Sequence, residues 1–146
     1  YHGINGLSPV TTRHMTTLYV SSRLLYGLEA LIVTPKQREM LETFRGLLRQ
    51  LQSLPIQVAK EAIYLMLGVP PVEATLDIRV LSFFGSIIQD TEGVLYQVVL
   101  RQLATKDLNS HSWVIYVLKL AEKYSLPSLH EVVCDPPPLD MWKALC

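Results

Sequence analysis

Arg38, Arg45, Arg49 and Gln52 fall at i, i+7, i+11 and i+14, a spacing that lines them along one side of an α-helix. Guanidinium forks and an amide on one exposed helical side suit phosphate oxygens, and Lys36 and Lys60 extend the set. The chemistry on offer is binding: cations that hold a nucleic-acid backbone without reading its bases. Pattern alone favours an ordinary solvated helix face instead, since Glu39 and Glu42 are interleaved and dilute the charge. Tyr19 and Tyr26, seven residues apart, have the spacing of a base-stacking pair. They fit equally well as a core edge with satisfied hydroxyls, and the core edge is the expectation here.

Nothing else in the chain has catalytic spacing. A polymerase holds two metals on paired aspartates, whereas Asp77, Asp90, Asp107, Asp135 and Asp140 are scattered and read as caps or solvated charges. There is no glycine-rich phosphate loop, no Gly-x-Ser-x-Gly elbow and no His-Glu-x-x-His. His130 and Cys134 stand at i, i+4, but a structural zinc site needs four ligands. His2, His14 and His111 read as surface or capping residues. The sequence therefore implies neither cofactor nor metal, and no enzymatic activity for this stretch.

The composition is that of a folded chain, and its net charge does not announce a nucleic-acid binder. The chain has 146 residues, 49% of them hydrophobic, and a formal net charge of zero, which permits a real core and argues against disorder. Residues 1–68 hold seven basic side chains against four acidic ones, so the front is basic and the back acidic. Cys134 and Cys146 cannot make a disulfide framework, which favours a reduced, intracellular setting, nucleus or cytoplasm left open. The apolar stretch from Leu24 to Val33 is short and contains Glu29, so no membrane span is expected. The chain opens on Tyr1 rather than Met and reads as a piece of a longer protein.

These residues must be positioned by helices, because apolar periods of 3.6 and helix punctuation dominate. Ser8-Pro9 predicts a capped helix running to about Ile32, its C-terminal half buried on most sides. Gly27 inside it costs roughly 1 kcal/mol against Ala, which close approach of another backbone would offset. Thr34-Pro35-Lys36-Gln37 is a capping box opening a helix over 35–53, with Met40, Leu41, Phe44, Leu47, Leu48 and Leu51 as its stripe. A helix over 57–67 buries Ala59, Ala62, Ile63, Met66 and Leu67, with Gly68 as left-handed C-cap. Further helices follow over 72–89, 93–104, burying Leu95, Val98, Val99 and Leu103, and 111–124. Ser128 to Glu131 is a second capping box before a short helix, and a last turn surrounds Trp142. The fold class is all-α, an irregular bundle of about six to eight helices. A boundary at Pro70-Pro71 gives two segments, 1–70 and 71–146, which also read as one continuous domain.

Three stretches in order carry a family resemblance: Arg23-Leu-Leu-Tyr-Gly-Leu-Glu29, then Leu41-Glu-Thr-Phe-Arg-Gly-Leu-Leu-Arg-Gln-Leu-Gln-Ser-Leu-Pro55, then Ala62-Ile-Tyr-Leu-Met-Leu-Gly68 with Pro71-Val-Glu73. Their succession resembles the region after the palm of non-LTR (LINE-type) retrotransposon reverse transcriptases, and Arg79 falls in the arginine-containing helix expected next. The opening Gly3-Ile-Asn-Gly-Leu-Ser-Pro9 is similar to the loop entering that region. The match covers about residues 3–81 and, more loosely, the helices to about 133.

The resemblance implies a helical thumb that grips a primer–template duplex and connects to the rest of a parent polyprotein. It carries over Arg38, Arg45 and Arg49 as phosphate contacts, followed by Lys36 and Lys60. The aspartate-bearing palm, the endonuclease and any cysteine-rich knuckle are absent from these residues, so polymerase activity would belong to the parent protein. The alternative, from pattern alone, is a helical protein-interaction module whose apolar groove receives a partner helix without any nucleic acid.

Overall fold

The computed structural model describes residues 8–146, so the resembling segment at 3–7 and His2 lie outside the described residues. Every regular element among these is helical, as the apolar periodicity predicts. Two compact units emerge: one comprises the described residues up to Gly27 together with Val33–Leu76, the other Leu28–Ile32 with Asp77–Cys146. The division falls inside a helix rather than at Pro70-Pro71.

In the first unit, the Ser8 hydroxyl accepts the Thr11 N–H at 3.1 Å and Pro9 takes the first helical position of α1 (Pro9–Met15). The rod continues through a π-helical turn, Thr16–Ser21, into α2 (Ser22–Leu24). Thr16 back-bonds to the Thr12 carbonyl at 2.6 Å and Ser22 to the Leu18 carbonyl. These hydroxyls hold carbonyls where the wide turn loosens the usual ladder.

The rod stops at Leu24, not Ile32. Gly27 adopts φ +76 with nothing near its missing side chain, so it serves a left-handed turn and not a close packing contact. The dense apolar run reflects that turn: Leu25 is fully buried, while Leu24, Tyr26 and Leu31 are exposed.

α3 (Pro35–Leu51) opens on the predicted capping box: the Gln37 N–H donates to Thr34 Oγ1 at 3.3 Å, and the Thr34 N–H donates to Gln37 Oε1 at 2.9 Å. Its buried seam is Leu41, Phe44 and Leu48, which is narrower than predicted, because Met40 and Leu47 are exposed. α4 (Lys60–Leu67) packs against it, burying Ile63, Tyr64 and Leu67 while Met66 and Ala59 face out. Gly68 closes α4 with φ +61, as predicted.

The second unit is built around α5 (Val72–Gln89), which begins in the first unit and enters this one at Asp77. From there Asp77, Val80, Leu81, Phe84, Ile87 and Ile88 are buried. α6 (Val94–Thr105) buries Val99 but leaves Leu95 and Val98 exposed, contrary to its predicted stripe, and packs on α7 (Trp113–Lys123). The Trp113 indole donates to the Glu29 carbonyl at 3.0 Å, which ties the 3-10 turn Leu28–Ala30 to this unit.

Asp77 is wholly buried and not the solvated charge its type suggests; its Oδ2 accepts from Lys123 Nζ and the Tyr124 hydroxyl, each at 2.8 Å. α8 (Leu129–Cys134) forms where predicted, but Ser128 makes no side-chain cap, so the second capping box does not close. α9 (Leu139–Leu145) inserts Trp142, fully buried, with its indole N–H donating to the Leu81 carbonyl at 2.8 Å.

Trp142 fits because position 85 is glycine: a Cβ there would stand 2.1 Å from Trp142 Cδ1. Gly85→Ala is expected to displace the indole and leave its buried N–H without the Leu81 carbonyl, lowering stability by about 3 kcal/mol. Urea unfolding followed by circular dichroism checks this, and an unchanged midpoint contradicts it.

Candidate nucleic-acid interface

α3 divides its surface by the angle of each residue around the helix. With Leu41, Phe44 and Leu48 turned inward, Arg38, Arg45 and Arg49 lie together along one flank of the seam, each half-buried. Lys36 stands about 2.5 turns before Arg45 and so on the opposite side of the helix, exposed in the first turn. The structure therefore brings three of the five predicted cations together.

Lys60 is drawn elsewhere. Its ammonium donates to Glu42 Oε1 and lies 3.4 Å from Glu73 Oε2. Glu42 also holds Arg45, whose Nε sits 3.0 Å from Oε2 without the alignment of a hydrogen bond. Arg49 has no carboxylate partner among the described residues. Arg45 and Arg49 border a hollow of about 180 Å³ whose apolar floor is Ile56, Val58 and Ile63.

Gln52 does not belong to this face. It is buried, and its amide donates to the Leu48 and Ile63 carbonyls, each at 3.2 Å, joining the end of α3 to α4. Its spacing from the arginines is helical, but position 52 is the C-cap of α3, where the chain turns and the amide is needed inside.

Basic character that the spacing argument passed over lies on the first rod. Residues 8–28 contain no carboxylate, while Arg13, His14 and Arg23 are exposed. Tyr19 and Tyr26 are 57% and 83% exposed, so they are not a core edge. The signal was present in the sequence, since the first acidic residue is Glu29; a charge sum over residues 1–68 averages that run away.

The described residues contain no group of three or more His, Cys, Asp or Glu placed to hold a metal ion, and Cys134 and Cys146 are free. No helix among them is long and apolar enough to cross a membrane. No protein-family model, curated protein or solved structure matches this chain.

Burial of Glu42 favours its neutral form, but hydrogen bonds with Lys60 and Glu73 and the charges of Lys60 and Arg45 outweigh it, so its carboxyl titrates below the ordinary 4.5. A carboxylate depressed in this way stabilises the fold above the unfolded-state value, and the contribution is lost as pH falls through the folded value. Glu42→Gln is therefore expected to be less stable than the parent at pH 7, with the gap closing in acid. Urea midpoints across a pH series check this; a gap that stays constant down to strong acid contradicts it.

Proposed function

We propose that residues 8–76 form a thumb-like grip on a nucleic-acid duplex within a reverse transcriptase of the non-LTR retrotransposon kind, supplying binding and no catalytic group. The observation that carries this reading is the carboxylate-free stretch 8–28: exposed Arg13 and Arg23 on the first rod, with Tyr19 on the rod and Tyr26 in the turn after it also exposed. Cations that meet no local anion release counterions when they touch phosphates, and exposed aromatic faces accept stacked bases or sugars.

Arg45 and Arg49 on α3 add a second set of guanidiniums. Glu42 tempers Arg45, so Arg49 is the stronger contact of the two. Contacts of this type fix a backbone without selecting a sequence, which is what a polymerase that copies any template requires. The partners are then the duplex and the remainder of the parent polyprotein.

One observation favours the other reading. Val20, Leu24, Met40 and Leu47 border an apolar hollow of about 560 Å³, with Met40 69% exposed. A partner helix laid there would bury its own apolar face, and its binding would be indifferent to salt.

Fluorescence anisotropy with a labelled RNA–DNA hybrid separates the two. The grip predicts binding that weakens with salt at a log–log slope of about −3, equal affinity for unrelated sequences, and a roughly tenfold loss in Arg45→Glu/Arg49→Glu at low salt. No loss in the double variant, or a salt-independent affinity, contradicts it.

A further inference from the structure

We infer that the hollow between the first rod and the end of α4 is a nucleotide subsite, with Arg13 holding a phosphate and an apolar wall taking the attached sugar or base. The inference rests on the nucleic-acid reading above and adds a defined place and ligand to it. The hollow measures about 450 Å³ and is lined by Arg13, His14 and Thr17 together with Leu18, Val69 and Pro70. That is the size and the mixture of a small-ligand site: a mostly apolar surface with a few polar groups that fix orientation.

Arg13 reaches the end of α4. Its Nη1 would be 3.6 Å from a Cβ on Gly68, so the guanidinium lies over the left-handed cap that ends α4. The negative end of the α4 dipole draws a cation there, yet no hydrogen bond or ion pair occupies its donors among the described residues. A guanidinium whose fork is unused can take a phosphate bidentately. Thr17 and His14 also line the hollow, and a hydroxyl and an imidazole can offer further hydrogen bonds.

The backbone gives an independent sign. The rod departs from α-helical winding over Thr16–Ser21, immediately beneath the hollow. Such wide turns cost helix stability and cluster at functional sites. Here the wide turn carries Thr17 and Leu18, both of which line the hollow. With no acidic residue between 8 and 28, nothing on the rod itself repels the anion.

The test is a titration of the full chain with adenosine monophosphate, inorganic phosphate and adenosine, read by residue-specific amide and Arg side-chain NMR shifts. Adenosine monophosphate should move the signals of Arg13, Thr17 and Gly68 in a saturable way, with inorganic phosphate weaker and adenosine weaker still. Arg13→Gln should weaken the monophosphate about tenfold, and Thr17→Val less; circular dichroism establishes that both variants fold. Shifts that are absent, unsaturated or spread over all basic residues overturn the subsite, and equal affinity for inorganic phosphate overturns the apolar wall's part in it. Hybrid binding by anisotropy is read in parallel. Hybrid binding without shifts at the hollow sinks this inference alone, whereas shifts at the hollow without hybrid binding sink the duplex grip and leave the subsite standing.

Discussion

The seam of Leu41, Phe44 and Leu48 against Ile63, Tyr64 and Leu67 is the constraint on which the first unit depends. Each buried side chain of this kind contributes on the order of 2 kcal/mol, and together they fix the rotation of α3 about its own axis. Once that rotation is set, everything else on the helix has an assigned direction. Arg38, Arg45 and Arg49 take one flank, and Met40 and Leu47 take the other. The basic face and the apolar hollow are two consequences of a single packing choice. Gln52 locks the choice at the far end, because its buried amide bridges the Leu48 and Ile63 carbonyls and so joins α3 to α4.

Charge on this surface is adjusted by a single carboxylate. Glu42 sits between Lys60 and Arg45, and Glu73 shares the lysine. Lys60 is held charged above its ordinary range by its hydrogen bond to Glu42 together with the fields of Glu73 and Glu42, against the opposing effect of burial. Such a cation serves the fold more than a ligand, since pulling it onto a phosphate would leave Glu73 without its cation and Glu42 with Arg45 alone. Arg49, with no acid to leave, and the carboxylate-free rod have no such obligation. Spacing identifies which cations share a face; their carboxylate neighbours decide which of them are available.

Local chemistry was legible in the sequence wherever a few adjacent residues determine the outcome. The capping box at Thr34 and Gln37, the glycine cap at Gly68 and the length of α5 all follow from short-range hydrogen bonding and chain geometry. Outcomes that depend on distant partners were not legible. Gly27 looks like a weak helix position until its φ of +76 shows a turn. Tyr64 and Met66 exchange places relative to the predicted stripe because α3 chooses which side of α4 is covered. Asp77 reads as a surface acid, yet Lys123 and Tyr124, 46 and 47 residues later, make its burial possible. Ser128 has the right neighbour three residues on and still makes no cap. For the candidate site, the arginine flank was visible from spacing, while the exposure of Tyr19 and Tyr26 and the hollow at Arg13 depend on how the chain packs.

The most direct test of a nucleic-acid grip in the first unit is photo-crosslinking of the full chain to a hybrid duplex carrying bromodeoxyuridine, with the attached peptides identified by mass spectrometry. A grip made by the rod and the arginine flank predicts adducts at Tyr19 and Tyr26 and on peptides containing Arg45 and Arg49, diminished by salt. Adducts confined to residues 77–146, or none at any salt concentration, would contradict it.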